Sequence, residues 1–226
     1  MSGSAPDHAT LKARQRALRA DFPETMGLRV HRALSWMGRA EALAGQDADT
    51  AFILYWIAFN AAYADAADFE PGTAGLTERG RMEGYFARLV RLDADKRIYD
   101  AIWSRYSGPV RVLLDNRFVF EPFWRHQNDP EGAPGWQERF EAARRTVGTA
   151  LARHETTKVL TILFDRLYVL RNQLVHGGAT WNSGVNRQQV RDGAAILGFL
   201  VPVFIDLMMD NPAEDWGHPF YPVVPG

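Results

Sequence analysis

Hydrophobic residues along this chain repeat with the period of an α-helix. Apolar positions at helical spacing are found over 26–44, 78–90, 96–106 and 136–153. The stretch 51–69 is apolar almost all round, which predicts a central helix that Asp49 or Thr50 caps and residues 69–72 end. The sequence shows neither an alternating strand pattern nor an internal repeat. We therefore expect an all-α fold with an antiparallel helical bundle at its centre.

Two long helices are predicted in the last third of the chain. Residues 155–176 carry a stripe of leucines at i, i+4, i+7 and i+11, namely Leu163, Leu167, Leu170 and Leu174. Gly177-Gly178 should end this helix, because glycine accepts the left-handed conformation found at helix C-termini. The last helix spans about 186–210, and we expect both to lie side by side, antiparallel, and packed against 50–67.

The chain divides into a short N-terminal segment and one helical domain. Residues 1–22 are polar, without an apolar core of signal-peptide length, and are predicted to be flexible, frayed or a loosely docked helix. Residues 23–226 form the domain, with an insertion at about 70–153. Within it, 117–135 is rich in aromatic residues and prolines, which predicts a long loop. The tail from 211 should be an extended arm packed on the body.

Composition narrows the possible functions. With 226 residues, 46% of them hydrophobic, the chain can bury an ordinary globular core. A formal net charge of -1 provides no overall attraction to nucleic acid, so contact with RNA would need a local basic cleft. The absence of cysteine excludes a thiolate nucleophile and a cysteine zinc site. The longest apolar stretch, 194–205, is too short to span a bilayer, and we expect a soluble cytoplasmic protein without membrane contact.

One segment carries a candidate chemical site: residues 171–176, Arg-Asn-Gln-Leu-Val-His. Asn172 and His176 are i, i+4 neighbours, so the amide can reach the imidazole. Arg171 and His176 lie about 140° apart around an ideal helix, so their convergence requires the long arginine stem or unwinding at Gly177. On spacing alone the structural interpretation is favoured, in which His176 interacts with free carbonyls at the helix end and Arg171 is solvated or ion-paired.

The motif in its setting resembles the HEPN superfamily. The family's motif is an arginine, followed after four to six residues by a histidine. Here Arg-Asn-x-x-x-His matches this motif, at the end of an apolar helix that glycine closes and another long helix follows. Arg171 and His176 take these two positions, with a polar residue directly after the arginine. The helix YWIAFNAAY (55–63) resembles the aromatic, asparagine-bearing helix of Apea-like HEPN proteins. The resemblance covers roughly 26–67 and 155–210, and leaves out the insertion.

Active members of this family are metal-independent endoribonucleases that usually act as dimers with facing motifs. The resemblance therefore implies RNA as substrate, no metal or cofactor, and catalytic roles for Arg171, Asn172 and His176. Histidine can take the 2′-OH proton or protonate the departing 5′-oxygen, and a homodimer supplies one histidine for each task. Arg171 would bind the scissile phosphate, and Asn172 would orient His176 or contact the phosphate. The products would carry a 2′,3′-cyclic phosphate.

Two alternatives stay open. Many HEPN members are catalytically silent and serve as binding or dimerisation modules, and a helical scaffold could also carry the motif by accident. An active enzyme would be expected as a toxin or defence effector, with a separate antitoxin or regulatory protein. The observation that separates these alternatives is whether the motif residues lie in an open site that solvent can reach.

Other residues are weaker candidates for the same site. Asn60 stands in the most apolar helix, either as a paired core amide, which is slightly favoured, or beside the motif as an orienting residue. Arg187 and Arg191 are one turn apart and are candidates for substrate binding, although most such pairs are solvated. The aromatic residues of 117–126 alternate with arginines and are able to stack bases, but burial of their own side chains is favoured.

Overall fold

The computed structural model describes residues 4–64, 78–184, 186–219 and 221. These residues form an all-α fold, as predicted, and no β-sheet is found among them. The helices are α1 (His8–Leu18), α2 (Glu24–Leu43), α3 (Ala48–Tyr63), α4 (Glu78–Leu92), α5 (Arg97–Asp100), α6 (Ser107–Leu114), α7 (Glu121–Asn128), α8 (Trp136–Ala152), α9 (Thr156–Val175) and α10 (Arg187–Asp210). A five-residue π-helix, Ala101–Arg105, follows α5.

Helices α3 and α10 run parallel through the core. At their N-terminal ends Gly193 allows close approach, because a Cβ there would lie 2.8 Å from the ring of Phe52 and 3.1 Å from Leu167. Further along both helices, the rings of Phe59 and Phe204 are 6.4 Å apart between centroids. The two helices therefore run in the same direction.

Helix α9 is antiparallel to α3. The ring centroids of Phe59 and Phe164 are 4.6 Å apart, and those of Trp56 and Tyr168 are 6.1 Å apart, so numbers rise in one helix as they fall in the other. The predicted leucine stripe faces the core, with Leu163, Leu167 and Leu170 buried and Leu174 packed at its edge. The C-terminus of α9 consequently meets the N-termini of α3 and α10 at one end of the bundle, and this end carries the motif.

The N-terminal segment contains a docked helix, which was one of the alternatives that its sequence left open. Helix α1 packs against α2 and α10, with Leu11 fully buried. Arg14 donates hydrogen bonds to the carboxylates of Asp206 and Asp210 near the end of α10. A buried leucine and an ion pair thus dock this segment, in spite of its overall polarity.

Local boundaries also differ from the prediction. Asp47, rather than Asp49 or Thr50, caps α3 by accepting the Thr50 N–H at 3.1 Å. The helix ends at Tyr63, and the predicted stop at 69–72 lies outside the described residues. The predicted loop 117–135 contains a short 3-10 turn and α7, which begins with Glu121 and has a proline in its first turn.

Aromatic side chains in this insertion pack against one another. Phe120 lies 5.2 Å from Phe140, and Phe123 lies 5.0 Å from Trp136, between ring centroids. The guanidinium of Arg166 on α9 stands over Phe120 at 4.6 Å. The burial interpretation thus holds for Phe120, whereas Phe118 and Trp124 stay 40% and 37% exposed. The contact of Phe120 with Arg166 fixes the insertion to the motif helix.

The tail after α10 is a packed arm, as predicted, over the residues that the structure describes there. Trp216 is buried, and the buried Arg29 donates to the carbonyls of Ala62 at 3.1 Å and His218 at 2.7 Å. Helix α10 itself is long and apolar enough to cross a membrane, but 78% of its most apolar window is buried inside the protein. That burial is typical of the core helix of a soluble protein.

Candidate functional site

Helix α9 ends in a Schellman motif centred on Gly177. This glycine has φ +70°, the left-handed conformation that the sequence predicted for it. The Gly178 N–H donates to the Gln173 carbonyl at 2.7 Å, and the Gly177 N–H donates to the Leu174 carbonyl at 3.4 Å. His176 is therefore the capping residue of the helix, and its side chain is exposed at the surface.

Arg171 interacts with a neutral neighbour. Its Nη1 donates to Oδ1 of Asn172 at 2.9 Å, so the amide oxygen faces the guanidinium. The i, i+4 spacing had suggested that this amide would instead contact the imidazole of His176. The link from Asn172 to His176 is instead through the backbone, where the Asn172 carbonyl accepts the His176 N–H at 3.0 Å. Arginine has five N–H donors, and no carboxylate in the described parts of the chain pairs with Arg171. Its positive charge is available to an anion.

Between Arg171 and His176 lies an exposed face of α9, which we call the open face. It is formed by Tyr168, Asn172 and Val175 at i, i+4 and i+7. Tyr168 is 42% exposed and Val175 is 48% exposed, which is high for large apolar side chains on a core helix. Because α9 stays helical up to Val175, Arg171 and His176 flank this face from opposite sides, about 140° apart.

The loop after the motif is held by Asp49, a buried residue in the first turn of α3. Its two carboxylate oxygens accept from Arg187 Nη2 at 2.7 and 2.8 Å, and Oδ2 also accepts from the Asn182 N–H at 2.7 Å. The side chains of Arg187 and Asp49 are only 15% and 9% exposed. The N-terminus of α3 also favours a carboxylate at this position. Asp49 thus joins Asn182 of the loop to Arg187 of α10, and it neutralises the charge of that arginine.

A second aspartate at the same helix end contacts the loop. Asp47 accepts hydrogen bonds from the hydroxyl of Thr50 at 2.7 Å and from Trp181 Nε1 at 3.2 Å. The hydrogen bonds from Thr50 lower the pKa of Asp47 below its ordinary value, so it is a carboxylate at neutral pH. Trp181 itself is 72% exposed.

Gln173 links the motif helix to two other elements. Its Nε2 donates to the Phe118 carbonyl at 2.5 Å in the insertion, and its Oε1 accepts from Asn186 Nδ2 at 2.9 Å at the start of α10. This residue of the motif is therefore a structural connection, which ties the end of α9 to the insertion and to the start of α10.

The remaining candidates take different positions. Asn60 lies eight residues beyond Phe52 on α3, which is about 12 Å along a helix, so the structure does not bring it to the motif end. Arg191 is exposed one turn after Arg187 and lines a cavity with Trp181. The structure thus brings Arg171, Asn172 and His176 to one helix end, with Arg187 and Arg191 on the neighbouring helix.

Comparison of the chain with protein-family models, with curated proteins and with solved structures finds no match in any of the three. The functional argument therefore rests on the side chains at this end of the bundle and on the resemblance of the motif.

Sequence reasoning missed two residues of this site. Asp49 was interpreted as a helix cap, and its partner Arg187 is 138 residues away along the chain, so local sequence gives no sign of the pair. Trp181 gave a weak sign, since a tryptophan in a short polar, glycine-containing loop has little apolar surface nearby in sequence to cover it.

Proposed function

We propose that this protein is a metal-independent endoribonuclease of the HEPN type, with Arg171 and His176 acting on the RNA backbone. The observation that supports this most strongly is the state of Arg171: a half-buried guanidinium whose described partner is the neutral amide of Asn172. A structural arginine in such a position is usually neutralised by a carboxylate, as Arg187 is by Asp49. An uncompensated guanidinium at the same helix end as an exposed histidine suits an anionic substrate.

The reaction is transesterification at one phosphodiester. A base takes the proton of the 2′-OH, the 2′-oxygen forms a bond to phosphorus, and the bond to the 5′-oxygen breaks as an acid protonates that oxygen. The products are a 2′,3′-cyclic phosphate and a 5′-OH. Imidazole suits either proton transfer, and Arg171 stabilises the charge that develops on the phosphate oxygens.

Two proton transfers at one phosphate favour two histidines, and we propose that a homodimer supplies them. The open face offers a surface for this, because Tyr168 and Val175 are large apolar groups that a partner would cover. Pairing of this face with the same face of a second copy would place Arg171 and His176 from both chains around one groove. The dimer would then contain the complete active site.

The alternative function is a catalytically silent HEPN module that binds or dimerises through the same face. The hydrogen bond of Asn172 to Arg171 favours it, because that amide oxygen then does not orient the imidazole of His176 within one chain. In either case we propose a cytoplasmic protein, acting as a toxin or defence effector if it is active, under control of a separate antitoxin or regulatory protein.

The direct test is incubation of the purified protein with single-stranded and structured RNAs in the presence of EDTA. We expect cleavage that EDTA does not reduce, with 2′,3′-cyclic phosphate and 5′-OH ends. A folded dimer that leaves all these RNAs intact would favour the silent module, whereas EDTA-sensitive cleavage would contradict the proposed mechanism.

A further inference from the structure

Beside the motif, between the start of α3 and the start of α10, is a cavity of about 270 Å³. Its walls include Gln46, Asp47, Trp181, Asn182, Arg187 and Arg191. The backbone N–H groups at the first turns of two helices lie at this end of the bundle, and helix N-termini favour anions. The cavity is thus large enough for a nucleobase. Because Asp47 and Asp49 already occupy the N-terminus of α3, the start of α10 is the helix end of this cavity that favours a phosphate.

Trp181 gives the cavity an aromatic wall. Its indole is 72% exposed, yet one edge is fixed by the hydrogen bond from Nε1 to Asp47 at 3.2 Å. A large aromatic ring that is held in place but left uncovered gains free energy when another flat apolar surface stacks on it. Bases of single-stranded nucleic acids provide such a surface, and every base has a π-face.

Arg191 gives the cavity an uncompensated positive charge. The two arginines of the first turns of α10 differ in their partners, since Arg187 is neutralised by Asp49. Arg191 is exposed, and no carboxylate that the structure describes pairs with it. The carboxylate of Asp47 also lines the cavity and keeps its negative charge, but its oxygens already accept hydrogen bonds from Thr50 and Trp181. The N–H donors of Arg191 are therefore available to a phosphate that approaches from the side away from Asp47.

We propose that this cavity binds one nucleotide of an RNA strand, with its base stacked on Trp181 and its phosphate bound by Arg191. The proposal rests on the proposed ribonuclease function, because it places the nucleotide within a few positions of the one that is cleaved. Trp181 follows His176 by five residues, a chain length that spans at most about 18 Å. A strand whose scissile phosphate lies at the motif can therefore reach the cavity within a few nucleotides.

The test is a binding titration of a fluorescently labelled single-stranded RNA, followed by anisotropy. All variants carry His176→Ala, so that the RNA stays intact. Trp181→Ala should weaken binding about 5- to 150-fold, from the effect of removing one base–aromatic stack. Trp181→Phe should retain most of the affinity, because its ring still stacks although it cannot donate to Asp47. Arg191→Ala should weaken binding and reduce its dependence on salt.

Two matched controls test whether loss of any exposed tryptophan or arginine weakens RNA binding. Trp36 is also exposed, at 43%, but lies on α2 outside the cavity walls. Arg16 is exposed on α1, which packs near the far end of α10. Trp36→Ala and Arg16→Ala should leave the affinity for RNA unchanged.

Several results would overturn the proposal. Affinity that is unchanged by Trp181→Ala and Arg191→Ala would refute it, and RNA cleavage by the wild-type protein would then leave the proposed function standing. Equal loss in Trp181→Ala and Trp181→Phe would show that the ring only anchors the loop through Asp47. Guanosine or adenosine monophosphate that quenches Trp181 fluorescence without competing with RNA would assign the cavity to a free nucleotide. If the protein binds RNA through Trp181 and the wild-type protein does not cleave it, the nucleotide site in the cavity is supported and the proposed ribonuclease function is contradicted.

Discussion

Arg171 donates a hydrogen bond to a neutral amide and has further N–H donors, so the substrate phosphate would be its main charged partner. We predict that Arg171→Ala lowers kcat/KM for RNA by about 10²–10³, the usual effect of removing one donor to a developing oxyanion. Arg171→Lys should recover only part of this, because an ammonium group keeps the charge but cannot form two parallel bonds to a phosphate.

The measurement is initial cleavage rate against RNA concentration in EDTA, with Arg16→Ala and Arg16→Lys as controls on α1. Both controls should match the wild-type rate. Full activity of Arg171→Ala would show that this arginine is a structural or solvated residue.

Asp49 is a buried carboxylate that stabilises the fold by neutralising Arg187. We predict that Asp49→Ala lowers the free energy of unfolding by about 3 kcal/mol, near the lower end for breaking a buried pair, because the Arg187 side chain is still 15% exposed. The double variant with Arg187→Met should regain part of that loss, since it no longer leaves a charge without a partner.

Urea unfolding measures both variants, with Asp95→Ala as the control, because Asp95 is exposed in the turn after α4. A loss as small for Asp49→Ala as for Asp95→Ala would show that the ion pair contributes little to stability.

At the scale of the helices, the packing of α3, α9 and α10 depends on Gly193. A Cβ at this position would lie 2.8 Å from Phe52 and 3.1 Å from Leu167, whereas a Cβ at Gly148 on α8 would meet nothing within 4 Å. We predict that Gly193→Ala lowers the free energy of unfolding by about 1–3 kcal/mol through overpacking. Gly148→Ala should raise it by up to about 1 kcal/mol, since alanine is the better helix former.

Thermal unfolding of Gly193→Ala and Gly148→Ala compares their stabilities. If Gly193→Ala is as stable as Gly148→Ala, the neighbouring Phe52 side chain moves at little cost, and the close contact of the three helices is not essential.

Helix positions could largely be predicted from the sequence, and the reasons are physical. Helices α2, α9 and α10 are long, with apolar residues on a repeating face, so the pattern that buries them is visible locally. Helix α7 was missed because it has only eight residues and lies among aromatic residues and prolines that resemble a loop. The cap of α3 was misassigned because Asp47, Asp49 and Thr50 all suit the position, and a partner on α10 decides between them.

The site could be predicted only in part. Residues 171–176 are adjacent in sequence, and the glycine stop places His176 at a helix end, as the structure also shows. The cavity at Trp181 arises where a loop meets the start of α3, more than 130 residues away along the chain. Such a contact depends on tertiary packing, which residue spacing does not indicate.

At the scale of the whole molecule, the open face of α9 predicts self-association. We expect a homodimer at micromolar concentration, and we expect Tyr168→Glu with Val175→Glu to give a monomer without RNA cleavage, because two carboxylates would be desolvated in the interface. Val112→Glu is the matched control, since Val112 is 51% exposed but lies on α6. Light scattering gives the mass, and a wild-type monomer with full activity would contradict the shared active site.

The central claim is that His176 transfers a proton during RNA cleavage, and one comparison of rates tests it most directly. Wild-type protein, His176→Ala and His31→Ala are incubated with the same labelled RNA in EDTA, after circular dichroism has shown that all three are folded. His31 is also exposed but lies on α2. We predict a rate about 10²–10⁴-fold lower for His176→Ala and an unchanged rate for His31→Ala. Cleavage by folded His176→Ala at the wild-type rate would contradict the claim.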